Sequence, residues 1–264
     1  MDNRPIGVFD SGIGGLTVVK SLIASLPNEK IYYVGDTARV PYGNKSQDRI
    51  QEFSKEIVQW LIQKNCKIII VACNTASSLA LEVLKKEFSI PIFGVIDPGV
   101  NYAINATINN SLGILGTEAT ILSNSYGEKL KFLNPNIKVI SKACPLFVPL
   151  VEEGLVQGAI PLSIAKFYLD DFVNSDIDTV ILGCTHYPIL KDVIKETLGR
   201  EIHLVDSGEA TATMVAYFLD SDNLNRKVLQ GEIKCFVTDS PNSFGVLASR
   251  FLKNKITSIK HIDL

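Results

Sequence analysis

The chain has 264 residues, of which 46% are hydrophobic and 20% are charged, and its formal net charge is −2. This length accommodates one large or two modest domains, and the small net charge excludes a general attraction to nucleic acid or to an anionic membrane surface. No apolar run is long enough to span a membrane and the first residues lack a signal-peptide core, so we expect a cytoplasmic protein.

The five cysteines and three histidines do not form the patterns of a structural site. No C-x-x-C pair occurs, and the cysteines are odd in number and widely spaced. We therefore expect neither a disulfide framework nor a bound metal.

The first predicted strand, residues 6–9, runs into the glycine-rich turn Asp10-Ser11-Gly12-Ile13-Gly14-Gly15 before a helix. A dinucleotide fingerprint needs a third glycine where Thr17 stands, and Asp10 would repel a phosphate. The turn instead favours a close approach of its backbone to a small anionic ligand. The second strand, residues 31–34, leads to a shaped loop that contains Pro41, Tyr42 and Gly43.

The stretch from Ile68 to Ala72 is typical of a central strand that is buried on both faces of a parallel sheet. It ends at Cys73, followed by Asn74 and Thr75, and then by one predicted helix with apolar residues at helical spacing. Ligands in open α/β sheets bind beyond the carboxyl ends of the strands. A helix N-terminus next to Cys73 is expected to favour its thiolate form.

The same pattern occurs a second time, where an apolar strand over residues 179–183 ends at Cys184, followed by Thr185 and His186. The two cysteines are 111 residues apart, and three other strand ends recur in the same order, each roughly 106 to 109 residues after its counterpart, which indicates an internal duplication. His186 lies at the start of a helix, and we expect its imidazole to be neutral there.

We therefore predict an α/β protein of two pseudo-symmetric doubly wound domains, each a mostly parallel sheet flanked by helices, with the active site in the interdomain cleft. One lobe is expected to comprise residues 1–97 and 207–264, and the other residues 98–206. Asp97 and Pro98 are predicted to be the N-cap and first residue of the helix that connects the lobes.

Two thiols on opposite sides of one cleft suit a reaction that inverts a stereocentre. A thiolate removes a proton from one face of a carbon, and a thiol returns a proton to the other face. Ser11, Asn74, Thr75 and Thr185 would donate hydrogen bonds as charge develops on the substrate carboxylate. No lysine lies in these motifs, so pyridoxal phosphate has no candidate for a Schiff base and no cofactor is expected.

Both cysteine motifs, the Asp10 turn and the stretch from Gly35 to Gly43 resemble the cofactor-independent aspartate/glutamate racemase family, most of all its glutamate-specific members. The resemblance covers nearly the whole chain. It implies interconversion of L- and D-glutamate, which supplies D-glutamate for peptidoglycan, and a homodimer. It also implies the following residue roles. Cys73 and Cys184 are the acid and base, Asp10 and His186 assist them, and Glu153 is a further accessory acid. Asp10, Ser11, Tyr42, Gly43, Asn74, Thr75, Thr185 and His186 contact the substrate.

Three alternatives stay open at this point. The first keeps the fold but changes the substrate to aspartate or another amino acid. The second uses one cysteine as the nucleophile of an acyl transfer, with His186 as its base, and leaves the other cysteine motif unexplained. The third is a two-lobed module that binds an amino acid without catalysing a reaction.

Overall fold

The structure is a computed structural model that describes residues 2–199, 201–228, 230–252 and 256–264. Within these ranges the chain forms ten strands and twelve α-helices. The strands are β1 (Ile6–Asp10), β2 (Lys30–Gly35), β3 (Ile68–Val71), β4 (Ile92–Gly94), β5 (Ser111–Gly116), β6 (Lys138–Ala143), β7 (Thr179–Gly183), β8 (His203–Asp206), β9 (Glu232–Val237) and β10 (Ser258–His261). The helices are α1 (Leu16–Ser25), α2 (Gln47–Gln63), α3 (Asn74–Leu79), α4 (Leu81–Glu87), α5 (Ile96–Ala106), α6 (Glu118–Leu122), α7 (Ser125–Leu133), α8 (Phe147–Glu152), α9 (Ala159–Val173), α10 (Lys191–Leu198), α11 (Ser207–Ser221) and α12 (Pro241–Leu252). In the part of the chain described, none of the helices has the length and apolar character needed to cross a bilayer.

The strands form two separate sheets. The larger sheet has the order β10-β9-β2-β1-β3-β4 and the smaller one the order β6-β5-β7-β8. Every strand pair in both sheets is parallel. The predicted α/β class with two mostly parallel sheets flanked by helices is therefore confirmed.

The central strands explain this architecture. All residues of β1, β3, β5 and β7 are buried. A strand that is apolar on both faces needs helices on both sides of its sheet, and the βα connections of a parallel sheet provide them. The same connections place the carboxyl ends of all strands of one sheet at one edge. Cys73 follows the end of β3 by two residues, and Cys184 follows β7 directly.

Helix α11 connects the two sheets. It follows β8 of the smaller sheet at once and packs against α1 and α5. Asp206 caps its N-terminus by accepting hydrogen bonds from the N–H groups of Gly208 (2.9 Å) and Glu209 (3.4 Å). The chain then adds β9 and β10 to the larger sheet. The exact domain limits, at residues 97/98 and 206/207, stay a prediction.

Two local predictions were wrong. The helix after Cys73 is two helices, because Ala80 has a φ of −120° and interrupts it between α3 and α4. The connecting helix α5 starts at Ile96 and not after Asp97. Asp97 instead lies in its first turn, where a carboxylate stabilises the helix dipole, and pairs with Lys129.

Candidate active site

A cavity of about 460 Å³ lies where the carboxyl ends of the two sheets face each other. This volume is in the ordinary range for a small-molecule site. Nine of the residues singled out from the sequence line it, and they come from both lobes: Ser11, Tyr42, Gly43, Cys73, Asn74, Thr75, Cys184, Thr185 and His186. Asp10 and Glu153 are not among the lining residues.

Cys73 is the N-cap residue of α3 and is 5% exposed. Its Sγ accepts a hydrogen bond from the Ala76 N–H (3.5 Å), and its thiol donates to Ser11 Oγ (3.9 Å). Burial, reinforced by the negative charge of Asp10, raises the pKa of Cys73 to about 12. The expected preference of Cys73 for the thiolate form is therefore wrong, because desolvation outweighs the effect of the helix N-terminus.

Cys184 follows β7 and is 6% exposed. Its Sγ lies 3.9 Å from Nδ1 of His186, whose Nε2 lies 3.1 Å from Oε1 of Glu152. Burial disfavours the charged imidazolium, but hydrogen bonds to Cys184 and Glu152 outweigh it and raise the pKa of His186 to about 10. The expectation of a neutral imidazole is thus also wrong, since the ring lies between a sulfur and a carboxylate.

Of the two adjacent acids, Glu152 and not Glu153 lines this cavity. Glu152, the last residue of α8, lines the cavity and contacts His186. Glu153 is exposed and lies outside the cavity. Successive residues of a helix point about 100° apart, so only one of two adjacent acids can face the cavity. The sequence places both acids in this segment, but the orientation of so short a helix, which contains Pro149, is not readable from it.

Asp10 is fully buried beneath the cavity. Its carboxylate accepts hydrogen bonds from the Gly12 N–H (3.0 Å) and from the Thr185 hydroxyl (3.4 Å), one from each lobe. Burial raises the pKa of Asp10, while His186 and these donors oppose the shift. Asp10 therefore holds the turn and Thr185 in place and does not face the cavity itself.

The glycine-rich turn was predicted to approach a small anionic ligand. Its Gly14 instead lies against Thr185 and His186 of the opposite lobe. A Cβ on Gly14 would lie 2.3 Å from Oγ1 of Thr185 and 2.4 Å from Nδ1 of His186. The neighbouring Thr17 hydroxyl donates to the Thr185 carbonyl (2.8 Å). Glycine is needed at position 14 because the motif after Cys184 occupies the space of a side chain.

Hydroxyl and amide groups of the two lobes also meet around the cavity. Thr75 Oγ1 lies 2.9 Å from Oγ1 of Thr117, the N-cap residue of α6, which the sequence reading did not select. The amide oxygen of Asn74 accepts a hydrogen bond from the Tyr126 hydroxyl (2.7 Å). Tyr42, in a 3₁₀ turn, donates to the buried Asp36.

The charges around the cavity are few. Among the lining residues that the structure describes there is no lysine or arginine, and Glu118 and Glu152 are the acids. Apart from the His186 imidazolium, the groups that can hold an anionic ligand are therefore hydroxyls, the Asn74 amide and backbone N–H groups at the starts of helices. With a sulfur atom from each lobe, these donors can support proton transfer at a carbon next to a carboxylate.

Comparisons with known proteins agree with this architecture. A family model described as Asp/Glu/hydantoin racemase matches residues 6–215. A glutamate racemase of Geobacter metallireducens is 46% identical over 262 residues, which cover 99% of this chain and 97% of the relative. A glutamate racemase of a Sulfurihydrogenibium species is 48% identical over 262 residues and 98% of each chain.

Solved structures give the same result. A glutamate racemase isoform of Bacillus anthracis matches with a TM-score of 0.96 and 40% identity, covering 100% of this chain and 99% of the other. The glutamate racemase of Francisella tularensis in complex with D-glutamate matches with a TM-score of 0.93 and 42% identity, covering 100% and 98%. By sequence over most of its length, the chain belongs to the Asp/Glu/hydantoin racemase family.

Proposed function

We propose that this chain interconverts L- and D-glutamate without a cofactor, by proton transfer between Cα and two cysteines. The observation that carries the proposal is that Cys73 and Cys184, which follow equivalent strands of two sheets, line one cavity. The relatives with 42–48% identity over nearly full length are glutamate racemases, which supports glutamate as the substrate.

Each cysteine has both roles, depending on direction. One thiolate removes the Cα proton from one face, and the opposite thiol donates its proton to the other face of the carbanion. When the product leaves, the cysteine that was the base is a thiol and the cysteine that was the acid is a thiolate. Ser11, Asn74 and Thr185 would donate to the substrate carboxylate as charge develops on it, and the backbone of Tyr42 and Gly43 would hold the other end of the substrate.

The thiolate is the costly species in this scheme. A thiol with the pKa of Cys73, about 12, is ionised at pH 7 in about one molecule in 10⁵. The α-ammonium group of a bound amino acid brings a positive charge close to Cα and therefore to the sulfur. We infer that substrate binding itself promotes the thiolate of Cys73, whereas His186 provides a cation beside Cys184.

Solvent exchange tests the reaction and the substrate together. In D2O, the chain is expected to exchange the Cα hydrogen of L-glutamate for deuterium and to form D-glutamate, as measured by NMR and circular dichroism. The same assay with aspartate is expected to show much slower exchange. Faster turnover of aspartate would assign the other specificity, and binding of glutamate without exchange would contradict a racemase.

Glu152 and Glu153 provide a matched pair for a second test. Glu152→Gln removes the carboxylate that helps to raise the pKa of His186, so this pKa is expected to fall below about 10. His186 would then lose its proton at lower pH, so the decline of kcat/KM on the alkaline side is expected to begin at lower pH. At pH 8 we expect kcat/KM to be about tenfold lower than in the parent. Glu153→Gln, at an exposed position, is expected to leave the pH profile unchanged. Equal effects of the two variants would contradict a role of Glu152 in keeping His186 protonated.

The same proposal includes the biological context of the reaction. The D-glutamate formed would be used in peptidoglycan synthesis, and the chain would act in the cytoplasm as a homodimer. Light scattering after gel filtration is the direct measurement of the oligomeric state.

A further inference from the structure

One buried tyrosine connects the active-site cavity with the junction between the lobes. Tyr126, in the first turn of α7, is 2% exposed. Its ring lies beside Gly183, the residue before Cys184, where an added Cβ would be only 3.2 Å from it, and close to Gly99 of α5. The phenol ring is therefore packed directly against the strand end that precedes Cys184.

The hydroxyl of Tyr126 forms two hydrogen bonds with a definite direction. It donates to Oδ1 of Asn74 (2.7 Å) and lies 2.9 Å from Oγ of Ser207. An amide oxygen only accepts, so the single phenolic proton is used on Asn74 and the Ser207 hydroxyl must donate to the phenol oxygen. Burial raises the pKa of Tyr126, which keeps this proton in place.

The two ends of the Asn74 side chain have nearly the same shape but opposite hydrogen-bonding character. Asn74 is 4% exposed and lines the cavity. With Oδ1 taken by Tyr126, the Nδ2 group with its two protons is the end left for a ligand. A carboxylate only accepts hydrogen bonds, so the opposite orientation would place one oxygen against another.

We propose that Tyr126 is a positioning residue for the racemisation, whose hydroxyl fixes the Asn74 amide with its N–H donors toward the substrate carboxylate. This inference rests on the proposed function. Negative charge on the carboxylate increases when Cα loses its proton, so a correctly oriented donor stabilises the transition state more than the bound substrate. Tyr126 acts through Asn74 and does not touch the substrate.

The test is a double-mutant cycle on racemisation of glutamate. Tyr126→Phe keeps the ring and removes only the hydroxyl, and it is expected to lower kcat by about 10- to 100-fold with a smaller change in KM, since one oxyanion donor contributes about 10² to 10³. Asn74→Ala is expected to lower kcat at least as much. Because Tyr126 acts through Asn74, adding Tyr126→Phe to Asn74→Ala is expected to cause no further loss.

Tyr168→Phe is the matched control, because the Tyr168 hydroxyl accepts a hydrogen bond from the Leu146 N–H (3.3 Å) and Tyr168 does not line the cavity. This variant is expected to keep kcat within about twofold. Independent, multiplied losses in the cycle, or an unchanged kcat in Tyr126→Phe, would overturn the inference. If Tyr126→Phe does not fold, Ser207→Ala removes the other hydrogen bond of the Tyr126 hydroxyl. This variant is expected to lower kcat severalfold when Asn74 is present and to have no effect in the Asn74→Ala background. A parent chain that does not racemise glutamate would refute the proposed function, and this inference with it.

Discussion

Replacement of either Cys73 or Cys184 by serine is expected to lower racemisation of glutamate by at least about 10³-fold, starting from either enantiomer. An alcohol is a much weaker acid than a thiol and cannot supply the base. Each turnover needs one sulfur as base and the other as acid, so loss of one stops both directions. The measurement is the rate of change of circular dichroism with L- and with D-glutamate.

The serine variants are suitable because they are expected to fold. Cys73 already caps α3 through its Sγ, and serine is a preferred N-cap residue. Cys66→Ser is the matched control, since Cys66 is buried but lies outside the cavity, and its specific activity is expected to change by less than about twofold. If one of the two active-site variants kept near-parental racemisation, a single base would be sufficient and the two-base scheme would be wrong.

Gly14→Ala is expected to lower both stability and activity. Its Cβ would lie 2.3 Å from Thr185 Oγ1 and 2.4 Å from His186 Nδ1, and both side chains are buried. Relief requires a shift of the segment next to Cys184. We expect a loss of about 1–3 kcal/mol in the free energy of unfolding from overpacking, and a loss of about 10² in kcat/KM from misplacement of the catalytic groups.

The neighbouring glycine gives a control in the same turn. A Cβ on Gly12 would lie 3.5 Å from Cγ2 of Val40, an ordinary contact, so Gly12→Ala is expected to change the free energy of unfolding by less than about 1 kcal/mol. Urea unfolding and steady-state kinetics of both variants decide the point. Equal effects of the two substitutions would show that the turn, and not the contact with the opposite lobe, needs glycine.

Much of the fold was readable from the chain because apolar strands of a parallel sheet have a strong pattern. The runs that end at Cys73 and Cys184 are buried on both faces, as such runs predict, and their repetition indicated two sheets. Since ligands of such sheets bind at the carboxyl ends of the strands, both cysteines were predicted to lie at one site, and they line one cavity.

Other features depend on packing that no local pattern encodes. The choice between Glu152 and Glu153 is set by the rotation of the short helix α8 about its axis. The protonation of Cys73 and His186 follows from the balance of desolvation against charged neighbours in the assembled site. The complete burial of Asp10, whose carboxylate accepts hydrogen bonds from Gly12 and Thr185 and does not line the cavity, also depends on how the two lobes pack together.

The sparse charge around the cavity has a consequence for the kinetics of capture. His186 is the basic side chain among the lining residues described, and Glu118 and Glu152 outnumber it. The residues that line the cavity therefore exert no long-range electrostatic attraction on an anionic amino acid, and the substrate reaches the cavity by diffusion without electrostatic steering. Added salt, which slows association where opposite charges steer it, is expected to leave the bimolecular rate constant here unchanged or slightly higher.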